Sequence, residues 1–170
     1  QGQNVRIRFN NLLPEKSIIH WHGLHLPERE DSHPSYAIEP QNEFIYEFKV
    51  ENRAGTYWYH PHPHGRTAYQ IYHGLCGLLI VEDAEEKSLG LPSGEFEKLF
   101  VVQDRLFESD NTLKYSPMMM GMFGDRMFLN GMPREQTAVA RCPHRIRILN
   151  ASNARFYKLA WNDSSPLEII

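Results

Sequence analysis

Two histidine pairs of the form His-x-His, each set in a run of aromatic or β-branched residues, constrain this chain more than any other feature. In Thr56-Tyr57-Trp58-Tyr59-His60-Pro61-His62-Pro63-His64-Gly65, histidines recur at every second position behind an aromatic run. In an extended chain, side chains two apart share one face and lie roughly 7 Å apart. His60 and His62 can therefore direct their imidazoles into one site. His64 is expected to leave that face, because the prolines and Gly65 end the strand. A single such pair reads as surface or hydrogen-bonding histidines, but His20-Trp21-His22-Gly23 follows the strand-like Ile18-Ile19. Two such strands bring four imidazoles together, a donor set that suits copper, zinc or iron and not the oxygen-seeking calcium and magnesium.

Composition narrows the class. The chain has 170 residues, 41% hydrophobic and 23% charged, enough for a real core in an ordinary globular protein. Its 18 basic and 21 acidic residues give a net charge of −3 without a basic block, so neither nucleic acid nor an anionic membrane surface is indicated as a partner. No apolar run approaches the roughly 18 residues of a membrane span, and Gln1-Gly2-Gln3-Asn4 is not a signal peptide. Cys76 and Cys142 belong to no Cys-x-x-Cys pair, which leaves no zinc knuckle or disulfide framework. Cys76, within Gly74-Leu75-Cys76-Gly77, reads as a small buried apolar residue.

Along the chain, Val5, Ile7 and Phe9 alternate with Arg6, Arg8 and Asn10, the period of a half-buried strand. Leu26 to Pro40, with three prolines and Asp31, reads as a long loop. Phe44, Tyr46, Phe48 and Val50 alternate again, and Gly74 to Val81 reads as a continuous apolar strand. Glu82 to Lys87 and Leu89 to Gly94 read as a linker. Leu99 to Gln103 then reads as a buried strand, and Asn130-Gly131 as a hairpin turn. Arg145-Ile146-Arg147-Ile148-Leu149-Asn150 matches Arg6-Ile7-Arg8-Phe9-Asn10-Asn11 at a separation of 139 residues, from 6 to 145, which suggests a tandem duplication. Carrying the offset forward puts Leu159 opposite His20 and Trp161 opposite His22, so only the first copy is expected to hold metal. Short strands with turns between them favour a β-sandwich. Met118-Met119-Met120-Gly121-Met122 reads as apolar gap filling rather than a cuprous-ion site.

These residues resemble the multicopper oxidases, the family of laccases, bilirubin oxidases and periplasmic copper-efflux oxidases. His20-Trp21-His22-Gly23 is similar to the family's first copper motif, and Trp58-Tyr59-His60-Pro61-His62 to its second. Gln103-Asp104-Arg105, Gly124-Asp125, Asn130-Gly131 and the run from Arg147 to Arg155 are similar to the opening of the second domain in the bacterial laccase-like and copper-efflux branch. The resemblance implies an all-β fold of tandem cupredoxin-like Greek-key β-sandwiches, the first nearly complete over residues 1–84 and the second partial over 98–170, with a linker over 85–97. It implies that His20 binds a type 2 copper, that His22, His60 and His62 bind a type 3 pair, and that Asp31 relays protons to the cluster. His25 and His64 lie beside the motifs and are not ligands in the family. The implied activity is one-electron oxidation of phenolic or other organic donors, or of Cu(I), coupled to four-electron reduction of O2 to water in the periplasm or outside the cell.

The family's later histidine motifs and the His-Cys-His of its type 1 site are not in this sequence. The chain is therefore expected to be an internal fragment holding half the ligands of the trinuclear cluster, inactive by itself and dependent on a C-terminal cupredoxin domain. Two other classes stay open. A dinuclear zinc hydrolase also uses His-x-His pairs, and a copper-free structural relative would use the sandwich for protein binding alone.

Overall fold

The computed structural model describes residues 1–133 and 138–170. The fold is built from strands, β1 (Asn4–Asn10), β2 (Ile19–His22), β3 (Glu43–Lys49), β4 (Gly55–Pro61), β5 (Gly77–Val81), β6 (Glu97–Arg105), β7 (Arg126–Leu129) and β8 (Arg145–Asn150). Its α-helices are one or two turns long: α1 (Glu28–Asp31), α2 (Thr67–Tyr72) and α3 (Ala84–Ser88). Sheet order is β1-β3, β2-β4-β5 and β7-β6-β8, antiparallel except for the β6-β8 pair. This is the all-β arrangement that the alternating pattern anticipates, and the cupredoxin-like form of it that the family resemblance implies. Among the described residues no helix is long and apolar enough to cross a membrane.

The first two sheets face each other across one core. Val5, Ile7 and Phe9 turn inward from β1 while the intervening arginines stay in water. They meet Tyr46 and Phe48 of β3, Trp21 of β2 and Val81 of β5. Trp21 has its indole edge on Tyr46 at 5.3 Å and also packs on Phe48 at 5.5 Å. Because strand side chains alternate, burying Trp21 forces its neighbours His20 and His22 to the opposite face of β2. The core thereby aims the histidines.

Several local expectations change in the folded chain. Leu26 to Pro40 is a connection that contains α1 and a 3-10 turn (Pro34–Tyr36), with Ser32 closing α1 in the left-handed region at φ 70°. The expected strand from Gly74 begins only at Gly77, because α2 runs to Tyr72 and Gly74, at φ 97°, reverses the chain. The expected linker carries α3, whose N-terminus is capped by the Asp83 carboxylate accepting from the Glu86 amide at 2.8 Å. Met118, Met119 and Met120 fill no gap; they are exposed on a turn, and only Met122 is buried. Leu99 is exposed as well, so the expected buried strand is buried only at its Gln103 end and beyond.

The duplicated strand is present in both places with one inversion. In β1 the arginines are outside and the aliphatic residues inside; in β8 Arg147 is buried and Ile146 and Ile148 are exposed. Arg145 and Arg147 both pair with Glu86 of α3 and Glu97 of β6, and Arg147 also donates to the Thr56 hydroxyl of β4 at 2.6 Å. This half of the repeat uses its polar face to hold the third sheet against the first part of the chain.

Candidate metal centre

The register of β2 on β4 sets the site. His20 lies opposite His60, and His22 lies opposite Trp58, so three imidazoles and one indole share a face. A slip of one residue would send His60 to the other side. His62 follows just past the end of β4, where its amide donates to the Ile18 carbonyl at 2.9 Å and keeps the two segments together. The ring of His20 is 5.5 Å from that of His22, 5.2 Å from His60 and 5.3 Å from His62. Candidate ligand nitrogens of His20, His22 and His60 lie within 4.8 Å of one another. His62 stands just outside that trio. His64 and His25 are exposed and take no part in it.

Hydrogen bonds at the back of the rings select the nitrogens that face inward. His60 Nδ1 is 2.8 Å from the Pro61 carbonyl oxygen, and His20 Nδ1 is 3.0 Å from the Asp31 carbonyl oxygen. A carbonyl only accepts, so each of these nitrogens carries the proton and each Nε2 keeps a lone pair. His60 Nε2 then faces His22 Nδ1 at 3.3 Å. That is long for a hydrogen bond, whose usual range ends at about 3.2 Å. It suits a shared ion: two imidazole nitrogens at about 2.0 Å from one metal, at a near-tetrahedral angle, stand about 3.3 Å apart. His62 Nδ1 is buried and, among the described residues, without a hydrogen-bond partner, which leaves it free to ligate.

Burial favours the neutral forms of His22, His60 and His62. Burial pushes the His60 pKa down to about 4, with the Pro61 carbonyl opposing and the neighbouring imidazoles adding to the depression. His22 and His62 are shifted the same way, first by burial and then by the nearness of the His20 ring. Neutral imidazole is the form that binds metal, so the ring nitrogens are available near neutral pH. Asp31 ends α1 with one carboxylate oxygen, Oδ1, 3.1 Å from His20 Nδ1. That oxygen is close enough to attract the ring but is buried without a hydrogen bond of its own.

Two supports escaped the sequence reading. Trp58 packs its indole on His60 at 4.3 Å and on His22 at 5.0 Å, walling one side of the trio; its place two residues before His60 was the available signal. Tyr46, from the adjoining sheet, accepts the Ile19 amide at 2.9 Å and meets the Ser32 hydroxyl at 3.3 Å. Nothing in the sequence pairs Tyr46 with the histidine segments.

Comparison with known proteins identifies the family. The family profile described as Multicopper oxidase matches residues 1–86. The multicopper oxidase of Staphylococcus epidermidis is 36% identical over 172 aligned residues, which cover 100% of this chain and 38% of that protein. The cell division protein FtsP of Escherichia coli is 34% identical, over 100% of this chain and 37% of its own length. Among solved structures, the McoA multicopper oxidase from the hyperthermophile Aquifex aeolicus superimposes with a TM-score of 0.84 at 43% identity, over 89% of this chain and 35% of that one. This chain thus spans little more than a third of the length of the relatives it matches. With the profile covering half of its residues and both histidine motifs converging in space, the chain belongs to the multicopper oxidase family.

Proposed function

We propose that this chain supplies half of an oxygen-reducing copper cluster, in a protein that oxidises phenolic or other organic donors, or Cu(I), at the expense of O2 in the periplasm or outside the cell. The observation that carries the reading is the facing pair His22 Nδ1 and His60 Nε2 at 3.3 Å, with His20 in the same 4.8 Å cluster. In this reading His20 holds the type 2 copper, and His22, His60 and His62 hold the type 3 pair. Imidazole donors suit copper, and the unpartnered His62 Nδ1 fits a site that expects a metal nearby. Bound copper would supply single electrons to oxygen at close range.

The chain's own residues then have defined tasks. The Pro61 and Asp31 carbonyls fix the tautomers of His60 and His20, so that the inward nitrogens stay unprotonated. Trp58 excludes water from one side and holds the rings of His22 and His60 in place. The Asp31 carboxylate, partly exposed and with its buried Oδ1 3.1 Å from His20 Nδ1, is placed to take a proton from solvent and pass it inward. The residues over 1–84 form the metal-bearing sandwich, those over 98–170 part of a copper-free second one, and the rest of the ligands come from a further cupredoxin domain.

The test is metal analysis and oxygen uptake on the full-length protein, with a phenolic donor and with Cu(I). Copper retained by the unmodified protein and lost from His22→Ala and His60→Ala, together with their oxygen uptake, is the expected result. Retention of zinc instead, with hydrolysis of an ester substrate, would point to a dinuclear hydrolase. A protein that binds neither metal would be a structural relative.

A further inference from the structure

Arg105 closes β6 with its side chain turned toward the first part of the chain, and it is only 8% exposed. Such a guanidinium ordinarily meets a carboxylate, since burying an unpaired charge is costly. None of the described carboxylates forms an ion pair with it. The adjacent Asp104 points to the other face of the strand, where it accepts from the Gly124 amide at 2.6 Å and from Arg155 Nε at 3.0 Å. Arg105 Nη2 donates to the Gln103 side-chain oxygen at 2.7 Å, and its guanidinium lies 5.1 Å from the centre of the Tyr72 ring. Nη1 is buried and has no hydrogen-bond partner among the described residues. Burial pushes the group's pKa below the ordinary arginine value, with Tyr72, Cys76 and Asp104 pulling the other way.

The guanidinium lines a cavity of about 550 Å³ between β6, β7 and the turn after α2. Val101, Phe107, Leu113 and Phe128 provide apolar walls, and Gln103 and Cys76 flank the charged end. Such a volume is in the range of small-molecule sites, which pair an apolar lining with a few directed polar groups. The two features define complementary ends of one guest. We propose that this cavity binds a small carboxylate carrying an apolar or aromatic body, its carboxylate received by the Arg105 guanidinium at one end of the cavity and its body packed against Phe107 and Phe128, whose rings lie side by side at 5.8 Å. The site is separate from the histidine cluster and does not rest on the copper reading.

The experiment is calorimetric titration of the copper-free full-length protein with benzoate, so that the probe cannot ligate copper. Saturable binding with a Kd at or below a few millimolar is expected, weakened at least tenfold in Arg105→Met and unchanged in Arg66→Met, a surface control. Benzyl alcohol, which has the same ring without the charge, is titrated into the unmodified protein and should bind at least tenfold more weakly. This arm decides the matter even where Arg105→Met does not fold. Equal affinity for benzyl alcohol, benzoate affinity retained by Arg105→Met, or no saturable binding up to 10 mM would each overturn the proposal.

Discussion

Replacing Tyr46 by Phe removes one oxygen atom and should loosen the metal centre from behind. Tyr46 is fully buried in the core, with its ring 4.8 Å from Phe44 and 5.3 Å from Trp21. Phenylalanine keeps those contacts, so the cost resides in the hydroxyl. That hydroxyl accepts the Ile19 amide at 2.9 Å, one residue before His20, and meets the Ser32 hydroxyl at 3.3 Å, one residue after Asp31. The first bond is the strong one, and losing it leaves a buried amide of β2 without its acceptor. An orphaned donor of this kind costs about 1–3 kcal/mol. For a unit of roughly 150–250 residues that unfolds together, about 2 kcal/mol corresponds to a fall in Tm of about 4–8 °C.

Urea unfolding of the copper-free protein measures the effect, with an unchanged slope showing that the denatured state is not altered. Tyr57→Phe is the control, because its hydroxyl donates to the Arg53 carbonyl at an exposed position and should change stability by no more than about 0.5 kcal/mol. Copper affinity should fall with Tyr46→Phe and not with Tyr57→Phe, since the lost bond positions His20 and Asp31 together. A Tyr46→Phe protein as stable as the control would show that the hydroxyl is not what ties β2 to α1.

Three further outcomes follow from the same structure. Arg147→Met should cost about 3 kcal/mol by urea unfolding, because it leaves Glu86 and Glu97 with Arg145 as their remaining shared cation in a nearly buried network; a change under about 1 kcal/mol would mean that the network only decorates the contact. Copper-free protein should lose stability on acidification. The folded pKa of His60 lies at about 4, below its ordinary 6.5, so the unfolded chain takes up a proton that the folded chain refuses. The contribution, at most about 3 kcal/mol, is complete above pH ~6.5 and disappears as the pH falls toward ~4. Urea midpoints that stay level between pH 6.5 and 4.5 would contradict it. Finally, the 170 residues expressed alone and loaded with copper should hold it exchangeably and sustain no oxygen uptake with a phenolic donor or Cu(I); turnover above that of free copper would refute the half-cluster assignment.

The metal face was legible because two physical periods coincide in it. Histidines two apart on an extended chain share a side, and Trp21 between one pair is apolar enough to dictate which side is inward. Asp31 was placed beside the histidines only by family resemblance; its approach to His20 depends on a one-turn helix too short to leave a periodic trace. The same shortness hid α2 and α3. Tyr46 reads as an ordinary strand residue and Trp58 only as the opening of a motif, since their contacts with Ile19 and His22 are made across strands that only the fold brings together. The methionine run misled for a related reason: composition registers apolar side chains but not whether anything packs on them.

The repeat makes the point more sharply. Asn11 and Asn150, equivalent in the duplicated motif, both accept from the amide two residues on, at 3.1 and 3.0 Å, and both donate to a carbonyl a few residues later. The turn chemistry of the two copies is thus the same. Burial is not: the aliphatic residues face inward in β1 and outward in β8. Local sequence carries the strand and its turn, while the burial of each face depends on what the rest of the molecule sets against it.

That distinction bears directly on the metal centre. His60 is buried, His20 half-buried and His22 exposed, so the donor trio forms one wall of a site that is open on its far side. An ion held by His22 and His60 would have two of its usual four positions filled by this chain. The others must go to oxygen, water or donors from elsewhere. In the half-cluster proposed above, a second wall of histidines would complete the site, and the matched relatives, more than twice as long as this chain, have the length to carry one. Under that proposal the 170 residues expressed alone should exchange copper fastest at the exposed His22 and at His62, whose buried Nδ1 has no hydrogen-bond partner among the described residues.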